Sequence, residues 1–570
     1  MKLVEMLLFI IFLILLPIFS SFHHQFKRSN HNLQLKSQLD SFLGITGLNA
    51  PEEVIQASLD EAKKIESVDY VIIGSGVGGL SCAALLNYYG YTTLVLESHY
   101  LSGGCAHTFE RDGFKFDAGP SLWNGMDTRP YNPLRQILEL IGEGDSVQYK
   151  KYNGWMMSLP EGVFKFKVGE GNFEPIIKQF GGPNAINEWN NLCNSIKPLQ
   201  DLAVSINPLS LRSDFTAIFT ILPYLGSLLK GVFVASKVEG NFKNVLKDTV
   251  KDKFLLNWFD FLSFALSGNA ADGTIAAAVV YTMRDLHQLR AELDYPVGGA
   301  GAIIDALVRG VEKNGKGKVL TSTHVEQILV ENGKAVGVKL KRSGKVIKTK
   351  RAVISNAAIW NTLELIKDED LSSEIRKQKD STPMTGSFMH LHIGIDATGL
   401  SPDLESHYSV INRLVPIIMI FIIIIFITVI NSWANGVDAP QNHVIISIPS
   451  TLDPSLAPAN CHVIHAYLNA CEPWEVWEKE MTRDEYKKLK EERAEVLWKA
   501  IEIFIPDVRS RVKTSLVGSP LTHMRFNRRK KGTLDPQISQ VINYPIQSLI
   551  QFQIYIYAEI AYFLVLDYPP

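Results

Sequence analysis

The stretch DYVIIGSGVGGLSCAALLNYYGYTTLVLE, residues 69–97, is compatible with few folds. Val71, Ile72 and Ile73 form a β-branched run without polar alternation, as in a parallel strand covered on both faces. Gly74, Gly76 and Gly79 follow in the spacing G-x-G-x-x-G. The first glycine permits a tight turn and the second a close backbone approach to a pyrophosphate. The third lets the next helix pack against the strand. LSCAALLNYYG continues as a helix of small residues, whose N-terminal N–H groups and dipole favour phosphate. YTTLVLE is a second strand ending in Glu97, where a carboxylate accepts from ribose hydroxyls. Ser75, Val77 and Gly78 complete the cradle, and Ser98 follows the acid. A structural glycine turn with a surface carboxylate is the bland alternative. The order strand, turn, helix, strand, acid favours a dinucleotide site.

A second glycine turn comes within a few residues, in SGGCAHTFERDGFKFDAGPSLW (102–123). Gly103 and Gly104 there suit the phosphates and ribityl chain of a longer, two-ended cofactor. FERDGFKFDAGP alternates as a short hairpin about Asp112 and Gly113, a favourable turn pair.

GGCAHTFERDGFKFDAGP resembles the flavin-binding region of the phytoene desaturase, carotenoid isomerase and retinol saturase family, within a wider amine-oxidase-like group. The amine-oxidase branch carries arginine after the glycine pair, and this chain carries Cys105. With His107 and Thr108, the Cys-x-His-Thr-Phe form is closer to the retinol saturase and carotenoid isomerase branches. The resemblance implies bound FAD, with NAD(P)H left open as its reductant, and places Gly103, Gly104, Cys105, His107 and Thr108 at the cofactor. Incidental side chains at Cys105 and His107 are the other reading. A further glycine cluster, Gly298, Gly299 and Gly301, precedes an amphipathic helix and several strands. By resemblance Val325 lies over the adenine with its backbone pairing to the ring; an ordinary strand residue is the alternative. AVISNAA (352–358) resembles the strand and turn that return to the pyrophosphate.

The expected fold is α/β with an α+β substrate lobe: a Rossmann-type FAD-binding domain interleaved with a substrate-binding domain. Residues 1–66 form a leader, 67–150 and 293–365 the FAD-binding domain, and 151–292 with 366–535 the substrate lobe. The lobe is rich in apolar and aromatic residues, as in FLLNWFDFLSFALSG (254–268). Core packing explains that composition equally well, and the family fits it to a lipophilic polyene substrate. No triad or metal constellation stands out, and no catalytic base is assigned, because a flavin carries the redox chemistry itself. HLH (390–392) and HVIH (462–465) read as packing or surface residues, and RFNRRKK (525–531) as solvated surface.

A net charge of −2 gives no reason for a nucleic-acid partner. Five scattered cysteines without CxxC argue against a disulfide framework or zinc site. MLLFIIFLILLPIFSSF (6–22) reads as a targeting or anchoring segment, giving peripheral or anchored membrane association in a plastid or the endoplasmic reticulum. The apolar run 414–430 interrupts the resemblance and has three readings: an unremoved intron, a membrane-inserting segment, or a buried helix. Its neighbour 549–566 carries Gln551, Gln553 and Glu559, which make a lipid span costly. Residues 537–570 contain no glycine, where the family has a glycine-containing turn against the flavin; this leaves the isoalloxazine end of the site incomplete.

The favoured function is FAD-dependent redox or redox-assisted isomerisation of carotenoid-like or retinoid-like polyenes. A flavin amine oxidase is one alternative, opposed by the missing arginine. A non-catalytic binder of lipidated proteins is the other, opposed by the intact glycine and acid set.

Overall fold

The structure, a computed structural model, describes residues 51–129, 131–205, 240–411 and 443–533. The apolar stretches 6–22, 414–430 and 549–566 and the tail 537–570 lie outside them. Among the described residues no helix is long and apolar enough to cross a membrane. The chain divides into two units. Of the first, Met1–Asn49 with Glu478–Lys487, only 478–487 are described. There Thr482 and Glu485 cap a helix start reciprocally: the Glu485 carboxylate accepts from Thr482 N at 2.7 Å, and Thr482 Oγ1 accepts from Glu485 N at 3.3 Å. The second unit, Ala50–Trp477 with Lys488–Pro570, carries the sheets and sites below.

Helix α1 (Glu52–Lys64) leads into strand β1 (Ser67–Ile73), helix α2 (Val77–Tyr88) and strand β2 (Thr93–Leu96). These belong to a six-stranded sheet in the order Gly317–Leu320, β2, β1, Val346–Ser355, Lys334–Leu340, Val325–Glu331. Its first four strands run parallel and the last two join antiparallel. Alternation along the strands explains the unbroken apolar runs. Ile72, Val95 and Ile354 face α2 and the helix Gly301–Glu312, while Val71, Ile73, Leu94, Leu96 and Val353 face the opposite layer. Val71 and Ile72 are fully buried, each contributing about 1.5–3 kcal/mol.

A seven-stranded sheet follows the order Val512–Gly518, Ser387–Asp396, Cys461–Glu472, His443–Ser447, His407–Ile411, Gly154–Leu159, Gly162–Lys167. All its pairings are antiparallel except that of His407–Ile411 with Gly154–Leu159. Helix Lys253–Ser267 starts where the Asp252 side chain accepts from Leu255 N and ends at Gly268 in the left-handed region. It packs Trp258 against Phe166 and Phe173 with ring centroids 5.0 and 4.5 Å apart. A smaller sheet of Trp123–Asn124, Leu293–Pro296 and Tyr149–Tyr152 leads into the glycines at 298–301.

Candidate dinucleotide site

At the carboxyl end of β1 the chain turns at Gly74 (φ +96°), whose N–H donates to Leu96 O at 2.9 Å. Helix α2 then begins without a side-chain cap, so its first N–H groups face the open end of the turn. Space is tightest at the third glycine. A Cβ on Gly79 would fall 2.1 Å from Gly74 O. One on Gly76 would fall 2.8 Å from Asn356 Nδ2. Asn356 follows the strand Val346–Ser355 and donates its N–H to Ile73 O at 2.8 Å, so the AVISNAA turn does return to the first glycine loop.

The second glycine turn locks onto the first. Gly103 bridges Gly76 in parallel and donates its N–H to Ser75 O at 3.0 Å. Gly103 (φ +118°) and Gly104 (φ +58°) both occupy the left-handed region, and a Cβ on Gly104 would lie 3.2 Å from Gly76 Cα. The result is a cradle walled by backbone.

Glu97 closes it from the end of β2, only 7% exposed. One carboxylate oxygen accepts from Ser75 N and Ser75 Oγ, both at 2.8 Å. The other accepts from His99 N at 2.8 Å and Ser98 Oγ at 3.3 Å. Glu97→Ala leaves the buried Ser75 groups unpaired, at about 1–3 kcal/mol for each. Melting should therefore reveal a loss of roughly 2–6 kcal/mol; an unchanged melt would show that the acid does not hold the turn.

The remaining residues flagged in the sequence divide. His107 donates from Nδ1 to Gly104 O at 2.6 Å, closing its own turn, and burial lowers its pKa. Cys105 Sγ accepts from Asn527 Nδ2 at 3.4 Å. Thr108 faces the third glycine cluster: its Oγ1 donates to Asp117 Oδ1 and accepts from Gly301 N, both at 2.8 Å. Val325 buries its side chain in the layer below the sheet. The adjacent Ser322 and Thr323 N–H groups donate to His99 O at 2.8 Å and Glu97 O at 2.7 Å. The Asp112–Gly113 hairpin forms as its turn chemistry demands, with φ +53° and +81°.

Three contributors escaped the sequence reading. Asp117 is buried and accepts from Tyr295 Oη at 2.7 Å and Ala300 N at 2.8 Å; burial raises its pKa. The ring of Phe526 meets His99 edge-on at 5.2 Å, and Asn527 reaches Cys105. RFNRRKK is thus no solvated face: its residues are half-buried and its start packs on the second glycine turn. A charge run offers no signal for that.

A β-α-β unit with interlocked glycine turns and a buried acid defines a Rossmann-type nucleotide-binding fold. Residues 72–139 match the family described as NAD(P)-binding Rossmann-like domain. Prolycopene isomerase 2, chloroplastic, of an Oncidium hybrid cultivar is 29% identical over 91% of this chain and 85% of its own. All-trans-retinol 13,14-reductase of Danio rerio is 25% identical over 82% and 77%. An oxidoreductase from Methanosarcina mazei aligns with a TM-score of 0.50 at 18% identity, over 79% and 87% of the chains. Over most of its length the chain is thus similar to prolycopene isomerases and all-trans-retinol 13,14-reductases, and its fold is that of an oxidoreductase of Rossmann type.

Proposed function

We propose that this protein holds FAD in the double glycine cradle and acts on carotenoid-like or retinoid-like polyenes by reduction, oxidation or redox-assisted isomerisation. The observation that carries this is the Gly76–Gly103 bridge beside buried Glu97, in a chain similar over 91% of its length to a prolycopene isomerase. A nucleotide fits the site, since a side chain at Gly76, Gly79 or Gly104 would fill the cradle. The uncapped start of α2 and the backbone of Gly74–Gly79 would receive the pyrophosphate, and Glu97 with Ser98 the ribose. Gly103, Gly104, Cys105 and His107 would border the second phosphate and the ribityl chain, with Thr108 supporting them from behind. The Ser322–Val325 backbone would border the adenine. When bound, the flavin supplies hydride or single-electron chemistry.

On this reading the six-stranded sheet is the FAD-binding domain, and the seven-stranded sheet with its aromatic helices is the substrate lobe. Apolar walls exclude water from a polyene. A substrate that partitions into lipid favours peripheral membrane association, and the chloroplastic relatives favour a plastid. NAD(P)H is the proposed reductant.

The test is reconstitution. Purified protein incubated with FAD should turn yellow and, under anaerobic reduction, alter the isomer or double-bond pattern of prolycopene or all-trans-retinol on chromatography. Protein that stays colourless with FAD, or that releases peroxide from amines and leaves both polyenes unchanged, refutes it.

A further inference from the structure

HLH and HVIH, far apart in sequence, meet across two paired strands. Ser387–Asp396 and Cys461–Glu472 run antiparallel with His392 opposite His465 and His390 opposite Tyr467. Alternation puts all four side chains on one face. The three imidazoles are 5%, 7% and 3% exposed for His390, His392 and His465. Their planes are almost parallel, at 6° for His390 and His392, 10° for His392 and His465, and 15° for His390 and His465.

Their candidate ligand atoms lie within 4.8 Å of one another, close enough for a shared metal ion. Orientation opposes that use. An ion sits near the plane of every imidazole that donates to it, and His392 is stacked over His465 with centroids 4.1 Å apart. Their lone pairs point along parallel planes and do not converge.

The contact that does form is a head-on bond, with His390 Nδ1 2.7 Å from His465 Nε2. A neutral imidazole has one N–H and one lone pair, so one ring donates and the other accepts. The outer nitrogens are then fixed as opposites: the donor ring exposes a lone pair and the acceptor ring an N–H. Those outer atoms, His390 Nε2 and His465 Nδ1, have no hydrogen-bond partner among the described residues. Leaving each unpaired in the interior is unfavourable, a cost that an apolar pair would avoid. His392 differs, donating from Nε2 to Asp117 O at 3.1 Å. Burial lowers the pKa of all three rings, keeping them neutral.

We propose that the His390–His465 pair is a proton relay for the polyene site, an inference that rests on the function proposed above. A proton enters at the free lone pair of one ring, the shared proton crosses the 2.7 Å gap, and the outer N–H of the other ring is released. One proton enters, one leaves, and no electron moves. The pair adjoins the cofactor cradle through a line of rings. His107 of the second glycine turn is 6.1 Å from Phe109, which is 5.2 Å from His392. Reducing a polyene double bond replaces its π bond by two C–H bonds. A bound, reduced flavin would supply hydride for one carbon, and the imidazole N–H would give the proton to its neighbour. One pass inverts both tautomers, so the pair is reset for the next turnover by a proton passing back or by rotation of the rings.

The first measurement needs no turnover. In full-length, FAD-loaded protein labelled with 15N-histidine, NMR should show two neutral imidazoles coupled through one N–H···N bond. His465→Phe abolishes that coupling, and His465→Gln, which keeps a polar group, does so with less demand on folding. With prolycopene or all-trans-retinol in D2O, wild type should place deuterium on a product carbon, and either variant should retain FAD yet lose about 10²–10⁴-fold in rate. Absence of the coupling overturns the relay, as does a variant within twofold of wild type or a stoichiometric zinc or iron in the purified protein. Protein that shows the coupling and binds FAD but leaves both polyenes untouched refutes the substrate reading, and with it the relay's proposed role.

Discussion

Gly79→Ala should strip this protein of bound flavin and lower its melting point more than any other single methyl addition in the site. The new Cβ would stand 2.1 Å from Gly74 O and 3.3 Å from Asn356 Cβ. The first neighbour is backbone and has nowhere to go. Gly74 is held by its bond to Leu96 O, and Ile73 pairs with Ser355. Either α2 lifts off the sheet or the turn opens, at a cost on the order of 3 kcal/mol. Both outcomes misplace the N–H groups proposed to receive the pyrophosphate, so on that reading flavin affinity should fall at least 100-fold by fluorescence titration. Gly333→Asn is the control. It occupies the left-handed region (φ +74°) with nothing within 4 Å, and asparagine tolerates that conformation. It should stay within about 0.5 kcal/mol of wild type. If Gly79→Ala matches that control, the turn does not need its third glycine.

Acid should unfold the protein abruptly, between about pH 6 and 5, set against the ordinary histidine pKa near 6.5. Burial lowers His392 to about 4 and His407 and His443 to about 3, and holds His390 and His465 well below the ordinary value. A depressed pKa means that the unfolded chain binds protons the folded one refuses. Stability is therefore complete above about pH 6.5 and drains as pH falls toward the folded values. By pH 5.5 each ring costs about 1.4 kcal/mol, and five together are comparable with the whole stability of a domain. Asp285 and Asp294 oppose this, since burial raises both to about 6. Their neutral forms favour the fold as pH drops from 6 toward the ordinary carboxylate range. Burial also raises Asp117, Asp260 and Asp305, but it lowers His99, His107, His287, His462 and His523 as well, so the histidines still prevail. Urea midpoints measured from pH 7.5 to 5 check the sign, and a midpoint that is flat or rises over that range refutes it.

The nucleotide half of the site was legible because its requirements are local. A turn that admits no Cβ needs glycine, and a strand covered on both faces needs an apolar run, so residues 69–98 reveal both. The Asp112–Gly113 hairpin was readable for the same reason. What escaped depends on distant pairing. His390 and His465 meet only through the register of two long strands, and strand-like spacing alone could not tell a buried array from a surface one. Phe526 and Asn527 sit among five basic residues that mask their packing on His99 and Cys105. The motif places Thr108 beside the second glycine turn, yet its hydroxyl accepts directly from Gly301 N and donates to Asp117, contacts with residues far apart in sequence that no motif reveals.

Interleaving also sets the order in which this molecule comes into being. Ile73, at the lip of the first glycine loop, pairs with Leu96 nearby but finds its second neighbour only at Ser355, and Leu96 finds its own at Leu320. A nascent chain displays the β1–α2–β2 unit on the ribosome long before the partners for its two open edges are translated. That half-built sheet is sticky, since unpaired edges recruit other strands. Production of this protein should therefore respond more to chaperone supply and slowed translation than to the stability of the finished fold.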